Sequence, residues 1–294
     1  MRDTRVTVAS LRSILIDPSR NLDLVKKACE QAAADGARLL VLPELMLTGH
    51  GGHPKMTENA EPVPDGPLSQ EILALSKEHD LCICVGIAEL SHKITYNSQM
   101  VADKGEYLGL QRKIYLSNDE YCHFGQGDRL EVFDIGDIRF GISICHDNEF
   151  PEMAMLHGLN GVDLLVAAVA ARTGEWPEEL TPEFYSELMR KQQKFWDILF
   201  RPRARDHNLF VLVSNAVGPS TEGLENVVAN HAGGVMAVAP GGEVFLETSA
   251  SSFVDEVVTV TLEEQKQIRD HTETRNRRPE VLQRLLQDAM RRQE

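Results

Sequence analysis

One stretch of this chain gathers residue types that could make and break covalent bonds: FGISICHDNEFPE, residues 140–152. An apolar run ends at Cys145, and the sequence turns at once to His146, Asp147, Asn148 and Glu149 before Phe150-Pro151-Glu152. A strand that ends in a sharp turn holds a thiol clear of its sheet, where the thiolate can attack an electrophilic carbon. A thiol with a reference pKa of about 8.5 needs a neighbouring base or cation to do so. Taken alone, the residue fits equally a buried, inert cysteine, the commoner fate of this type. Partners elsewhere in the chain decide between the two.

The elements that would position such partners alternate between short β runs and amphipathic helices. Residues 5–9 read as a strand, Asp17-Pro18 as a turn, and Asn21 as the cap of a helix with Leu22, Val25, Cys29, Ala32 and Ala33 on one face. After Gly36, residues 38–42 form an apolar strand that runs into Pro43-Glu44-Leu45. Residues 49–53 and 62–67 are loops, followed by a helix bearing Leu68, Ile72 and Leu75, and by a strand at 81–88. A hairpin of residues 96–102 and 107–113 around Lys104-Gly105-Glu106 ends on Lys113. A polar loop at 117–129 carries Glu120, and strands at 130–133 and 138–144 lead to Cys145. Beyond it come a short helix at 152–159, a strand at 162–170, a helix at 183–206, and strands at 209–214, 228–239, 243–246 and 254–262. The charged tail, 263–294, carries a Val281, Leu282, Leu285, Leu286 stripe expected to pack on the domain or on a partner subunit. Such alternation without a linker predicts stacked layers of sheet and helix in a single domain, 1–294.

Glu44, Lys113 and Cys145 therefore stand at the ends of three separate strands. Their contexts, LLVLPEL, LQRKIYL and GISICHDNEFPE, and the later RARDHNLFVLVSNAVG at 203–218, resemble the nitrilase superfamily of carbon-nitrogen hydrolases over nearly the whole chain. The resemblance implies an α/β fold, an α-β-β-α four-layer sandwich, and a Glu-Lys-Cys triad. It further implies a homodimer or larger homo-oligomer with helices beside the site in the interface. A second glutamate that follows the family's lysine and positions substrate matches Glu120; Asp119, or a merely solvated Glu120, is the alternative.

On that assignment Glu44 is the base. A free glutamate titrates near about 4.3, and burial is expected to raise the value while Lys113 limits the rise. Attack on a carbonyl or nitrile carbon creates negative charge that Lys113 and a backbone N–H beside Cys145 would stabilise. Ammonia or an amine leaves with a proton from Glu44, and water hydrolyses the thioester. No metal or organic cofactor is required. The expected activity is hydrolysis of a small linear amide or N-carbamoyl compound. The alternatives are a nitrilase and a catalytically silent binding or assembly protein of the same fold. A glutamine amidotransferase centre would want glycines flanking its cysteine, where Ile144 and His146 stand instead.

Two positions depart from the family pattern. His146 replaces a residue that is often aromatic, and Glu149 stands where many relatives carry arginine. His146 either donates near the oxyanion or packs beside the turn; Glu149 either removes an anion-binding charge or pairs with a surface arginine. Trp176 and the long connection at 172–200 suggest a lid or pocket wall that selects substrate, or else a helix extended for dimer packing. His50, His53 and His123 could be drawn as metal ligands, but the Gly-rich loop at 49–53 reads as flexible, without an accompanying acid, and no metal is expected. Cys82 and Cys84 alternate along a strand, so they share a face in the core.

The net charge of −15 argues against a nucleic-acid partner, which needs clustered Lys and Arg. Five cysteines without a disulfide spacing favour a reducing cytoplasm, and the charged start MRDTRVTVAS does not read as a signal peptide. No apolar run approaches the roughly 20 residues that span a bilayer.

Overall fold

A computed structural model of the chain describes residues 1–51, 53–173, 181–220, 230–247, 254–267 and 277–292. In chain order its elements are β1 (Thr4–Ser10), α1 (Pro18–Ala34), β2 (Leu39–Val41), α2 (Pro67–Glu78), β3 (Cys82–Ser91), β4 (Ile94–Asp103) and β5 (Glu106–Arg112). Then come β6 (Val132–Asp134), β7 (Arg139–Ile144), α3 (Pro151–Leu159), β8 (Leu164–Val169), α4 (Pro182–His207) and β9 (Phe210–Asn215). The last are β10 (Val217–Pro219), β11 (Asn230–Ala232), β12 (Val235–Val238), β13 (Val244–Glu247), β14 (Glu256–Leu262) and α5 (Pro279–Arg291).

Two six-stranded sheets result, ordered β14-β1-β2-β3-β4-β5 and β13-β12-β9-β8-β7-β6. Each has a parallel centre, β1-β2-β3 in one and β7-β8-β9 in the other. Residues on one face of the first sheet, Val6, Val8, Leu39, Val41, Cys82 and Cys84, meet Phe140, Ile142, Leu164, Val166, Phe210 and Leu212 of the second. Their alternates Leu40, Leu42, Ile83 and Val85 pack with Val25, Cys29, Ile72 and Leu75 of α1 and α2. On the far side, Leu165, Ala167, Val211 and Val213 pack with Trp196, Phe200 and Ala204 of α4. Both faces of both central strand sets are covered, which is why those runs are continuously apolar rather than alternating. The layer order is helix, sheet, sheet, helix, as the family resemblance implies.

Two expectations are corrected. Asp17, not Asn21, caps α1: its side chain accepts from the Arg20 N–H, with Pro18 at the first helical position. Asn21 lies inside the helix, buried, and bridges the Ile14 and Leu47 backbones at 2.7–3.2 Å. The run at 228–239 is split into β11 and β12, because Gly233 and Gly234 turn the chain at φ +80° and +101°. The tail does form a helix, α5, yet Leu282, Leu285 and Leu286 are 41%, 57% and 60% exposed, so the stripe is not packed on the described part of this chain.

Candidate active site

Past the end of β2 the chain makes the turn Pro43-Glu44-Leu45 directly over β3. Leu42 N–H donates to the Cys84 carbonyl and Leu47 N–H to that of Gly86, both at 2.9 Å. A Cβ on Gly86 would stand 2.1 Å from Leu45 N and 2.6 Å from the Pro43 oxygen, so only glycine lets the turn settle there. The turn drives the Glu44 side chain into the interior. Lys113 follows β5, its N–H donating to the Asn97 carbonyl of β4 at 2.8 Å. Its Nζ donates to Glu44 Oε1 and to Glu120 Oε2, each at 2.7 Å. Glu120 sits in a short turn, where Ser117 N–H and Oγ–H donate to its Oε2 at 2.8 and 2.9 Å. Asn97 Nδ2 donates to Glu44 Oε1 at 2.8 Å and to Glu120 Oε1 at 2.9 Å. Glu44 Oε2, also buried, has no hydrogen-bond partner among the described residues.

Cys145 arrives from the other sheet, as the first residue of a short 3₁₀ turn at the end of β7, with φ +47°. A non-glycine residue in this region is strained, and the surroundings must hold it there. Asp147 does so. Its carboxylate accepts from Ile144 N–H on the same turn at 3.0 Å, and from Ile114 and Tyr115 N–H, just past Lys113, at 3.2 and 2.7 Å. The Ala170 N–H, following β8, faces the sulfur. Enclosed on most sides, Cys145 remains partly exposed to a cavity of about 350 Å³ walled by residues including Glu149, Val169 and several side chains of α4.

Electrostatics corrects one expectation. Burial pulls the Glu44 carboxyl upward, but the Lys113 ammonium, His50, and hydrogen bonds from Lys113 and Asn97 together hold it below the usual carboxylate range. Burial works against the Lys113 charge, yet Glu44, Cys145 and Glu120 outweigh it and push that ammonium up. Burial and then the Glu44 charge push the Cys145 thiol up, with Lys113 and the Ala170 N–H opposing. The resting site is thus a carboxylate, an ammonium and an un-ionised thiol. The Glu44 charge acts on that thiol, and a carboxylate with a free oxygen has the chemistry of a general base.

The structure brings together Glu44, Lys113, Cys145 and Glu120. Asp119 turns away to Arg172, which donates to both its oxygens at 2.6 and 3.1 Å. Glu149 stands on the cavity rim, and its partner is His146 at 3.3 Å, not a surface arginine. His146 also meets the Phe150 ring edge-on at 5.2 Å. Trp176 lies outside the described residues, but the described part of 172–200 does wall the cavity.

Three residues of the site escaped sequence reasoning. Asn97 and Asp147 are the first two. His50, which the sequence offered only as a metal candidate in a flexible loop, is the third: Gly49, at φ +87°, seats on the Leu15 backbone, where a Cβ would come within 2.4 Å. That buries His50 beside Glu44 and Glu120, with ligand atoms of all three within 4.8 Å of one another. Burial keeps its imidazole below the usual range, against the pull of both glutamates. Lys113 already hydrogen-bonds both carboxylates, so the positive charge at this cluster is the chain's own. His53 instead accepts from Lys55 N–H at 3.1 Å. The available signal was the polar triplet Asn97-Ser98-Gln99 inside a strand. All three are buried, and they bond respectively to Glu44 and Glu120, to Glu89, and to the Leu42 carbonyl.

The family described as Carbon-nitrogen hydrolase matches residues 5–269. An (R)-stereoselective amidase of Pseudomonas sp is 30% identical over 264 residues, covering 89% of this chain and 87% of that protein. A nitrilase of Pyrococcus abyssi is 31% identical over 164 residues, which is 55% of this chain and 63% of the relative, under two thirds of its length. Among solved structures, an amidase from Nesterenkonia AN1 superposes with a TM-score of 0.76 at 20% identity, over 96% of this chain and 97% of that one. That likeness is one of fold.

Proposed function

The chain belongs to the carbon-nitrogen hydrolase family, and we propose that it hydrolyses a small linear amide or N-carbamoyl compound through a Cys145 thioester. The observation that carries this reading is the state of Glu44: one oxygen held by Lys113 and Asn97, the other buried without a hydrogen-bond partner among the described residues, and a carboxylate charge that acts on the un-ionised Cys145 thiol. In the proposed cycle Cys145 Sγ bonds to the carbonyl carbon while its proton passes to Glu44 Oε2. Lys113 and a backbone N–H beside Cys145 hold the oxyanion. The C–N bond breaks as Glu44 returns the proton to nitrogen, and ammonia or an amine departs. Glu44 then deprotonates a water that attacks the thioester, releasing the acid and restoring the thiol. Glu120 positions Lys113 and Asn97 rather than touching the reacting bond. His146 and Glu149 border the substrate entrance.

Four exposed apolar side chains, Leu156 and Leu159 on α3 with Phe195 and Ile198 on α4, support a homodimer formed through these helices. Five free cysteines support a reducing, cytoplasmic location. No described helix is long and apolar enough to cross a membrane.

The test is ammonia release from a panel of amides, N-carbamoyl amino acids and nitriles. Cys145→Ala is expected to lose about a thousandfold or more of the wild-type rate. Full activity in the variant would end the reading. Product analysis separates amide from nitrile hydrolysis.

A further inference from the structure

The cavity above Cys145 has a chemistry of its own. Leu188, Phe195 and Leu199 recur at i, i+7 and i+11 along α4 and face it together with Trp196; Val169 and Ala232 line it as well. Most polar groups in its wall are committed to partners within the protein; the exception is Lys191, 70% exposed and facing solvent, with Glu187 at 3.5 Å. Arg172 is held bidentate by Asp119. Glu149 pairs with His146. Gln192 donates to the Gly233 carbonyl at 2.7 Å and accepts from Asn215 at 3.3 Å. Asn148 donates to the Cys145 carbonyl at 2.9 Å. A carboxylate or ammonium held against the apolar wall by the acyl part of a substrate would lose its hydration and meet Arg172 and Glu149 already paired within the protein. A hydrocarbon chain or ring would lose only water. At about 350 Å³ the space suits a small molecule and sits near the lower end of the roughly 300–1,000 Å³ usual for ligand sites.

We infer that the acyl group accepted at Cys145 is uncharged and apolar, an aliphatic or aryl carboxamide, and that Leu188 and Phe195 set this preference. The inference rests on the thioester reading and narrows it. Of the substrate classes the sequence suggested, it favours simple amides and disfavours N-carbamoyl amino acids, whose carboxylate would enter the same wall.

Two measurements test it. The Cys145→Ala chain, which can hold an amide without consuming it, is titrated calorimetrically with hexanamide, phenylacetamide, succinamic acid and N-carbamoylglycine. Wild-type ammonia release is measured on the same four. Hexanamide and phenylacetamide are expected to bind at least about tenfold more tightly than the two acids, on the scale of discrimination a methylene commands in an apolar pocket. Leu188→Arg, in the Cys145→Ala background, is expected to reverse that order; Phe195→Arg, at a half-exposed position, serves if the first variant folds poorly. Equal or better binding of the acids, binding of none of the four, or an unchanged order in both arginine variants overturns the inference. Selective binding of the apolar amides without wild-type turnover would instead overturn the hydrolysis reading and leave the acyl preference standing.

Discussion

Asp147 accepts one N–H from the Cys145 turn and two from the chain just past Lys113, so a single buried carboxylate fixes the spacing between thiol and ammonium. Burial pushes its carboxyl up to about 6, against the opposing N–H groups of Tyr115 and Ile144, whereas an unfolded aspartate titrates near about 3.9. The folded chain therefore binds this proton more tightly than the unfolded one. Stability contributed by the group is complete below pH ~4 and is lost as pH rises through about 6. Asp147→Asn does not titrate. The unfolding free energy of the wild type minus that of the variant should thus fall by roughly 2–3 kcal/mol between about pH 4 and pH 7 in urea denaturation. A flat difference would refute the assignment. The same variant turns an NH₂ toward a backbone N–H, so kcat should fall while KM, set by the cavity, holds. Glu44, Lys113 and Cys145 could be singled out in the sequence because each ends a strand in a context that resembles the nitrilase superfamily. Asp147 was hidden in HDNE, where any polar residue reads as a solvated turn. The direction of the Glu44 shift was misjudged because sequence reveals burial but not how closely Lys113 and His50 stand against the carboxylate, nor that Lys113 and Asn97 both donate to one oxygen.

The Pro43-Glu44-Leu45 turn depends on β3 presenting no side chain at Gly86. Gly86→Ala would force a methyl to within 2.1 Å of backbone nitrogen, a clash neither strand can yield to without moving Glu44. We expect a loss of about 2–4 kcal/mol in stability, larger than most overpacking, together with loss of amide hydrolysis. Gly241→Ala, where a Cβ meets nothing within 4 Å, is the control and should leave both unchanged. Urea midpoints and ammonia release on the two variants decide the matter. The strands on either side of that turn were readable because continuous apolar runs need two buried faces, and both sheets supply them. Their ends were less readable. Asp17 and Asn21 are both good caps, and only Pro18, with its fixed φ, favours the former. The break at Gly233-Gly234 was obscured by apolar residues on both sides.

Across the whole molecule, α3 and α4 carry Leu156, Leu159, Phe195 and Ile198 outward, with Ile198 63% exposed. If these helices join two copies, Ile198→Glu places two like charges in an apolar contact and should shift sedimentation toward the monomer. A wild type that already sediments as a monomer would remove the basis for a dimer. Phe195 belongs to both this patch and the cavity above Cys145, so on the proposed dimer, assembly and substrate choice would share a wall.

Glu44 and Lys113 hang from one sheet and Cys145 from the other, and only the docked pair brings them together. A chain still being synthesised carries, on this reading, a thiol without its base and its ammonium. Amide hydrolysis would then begin only once the two sheets dock and set base, ammonium and thiol against one another.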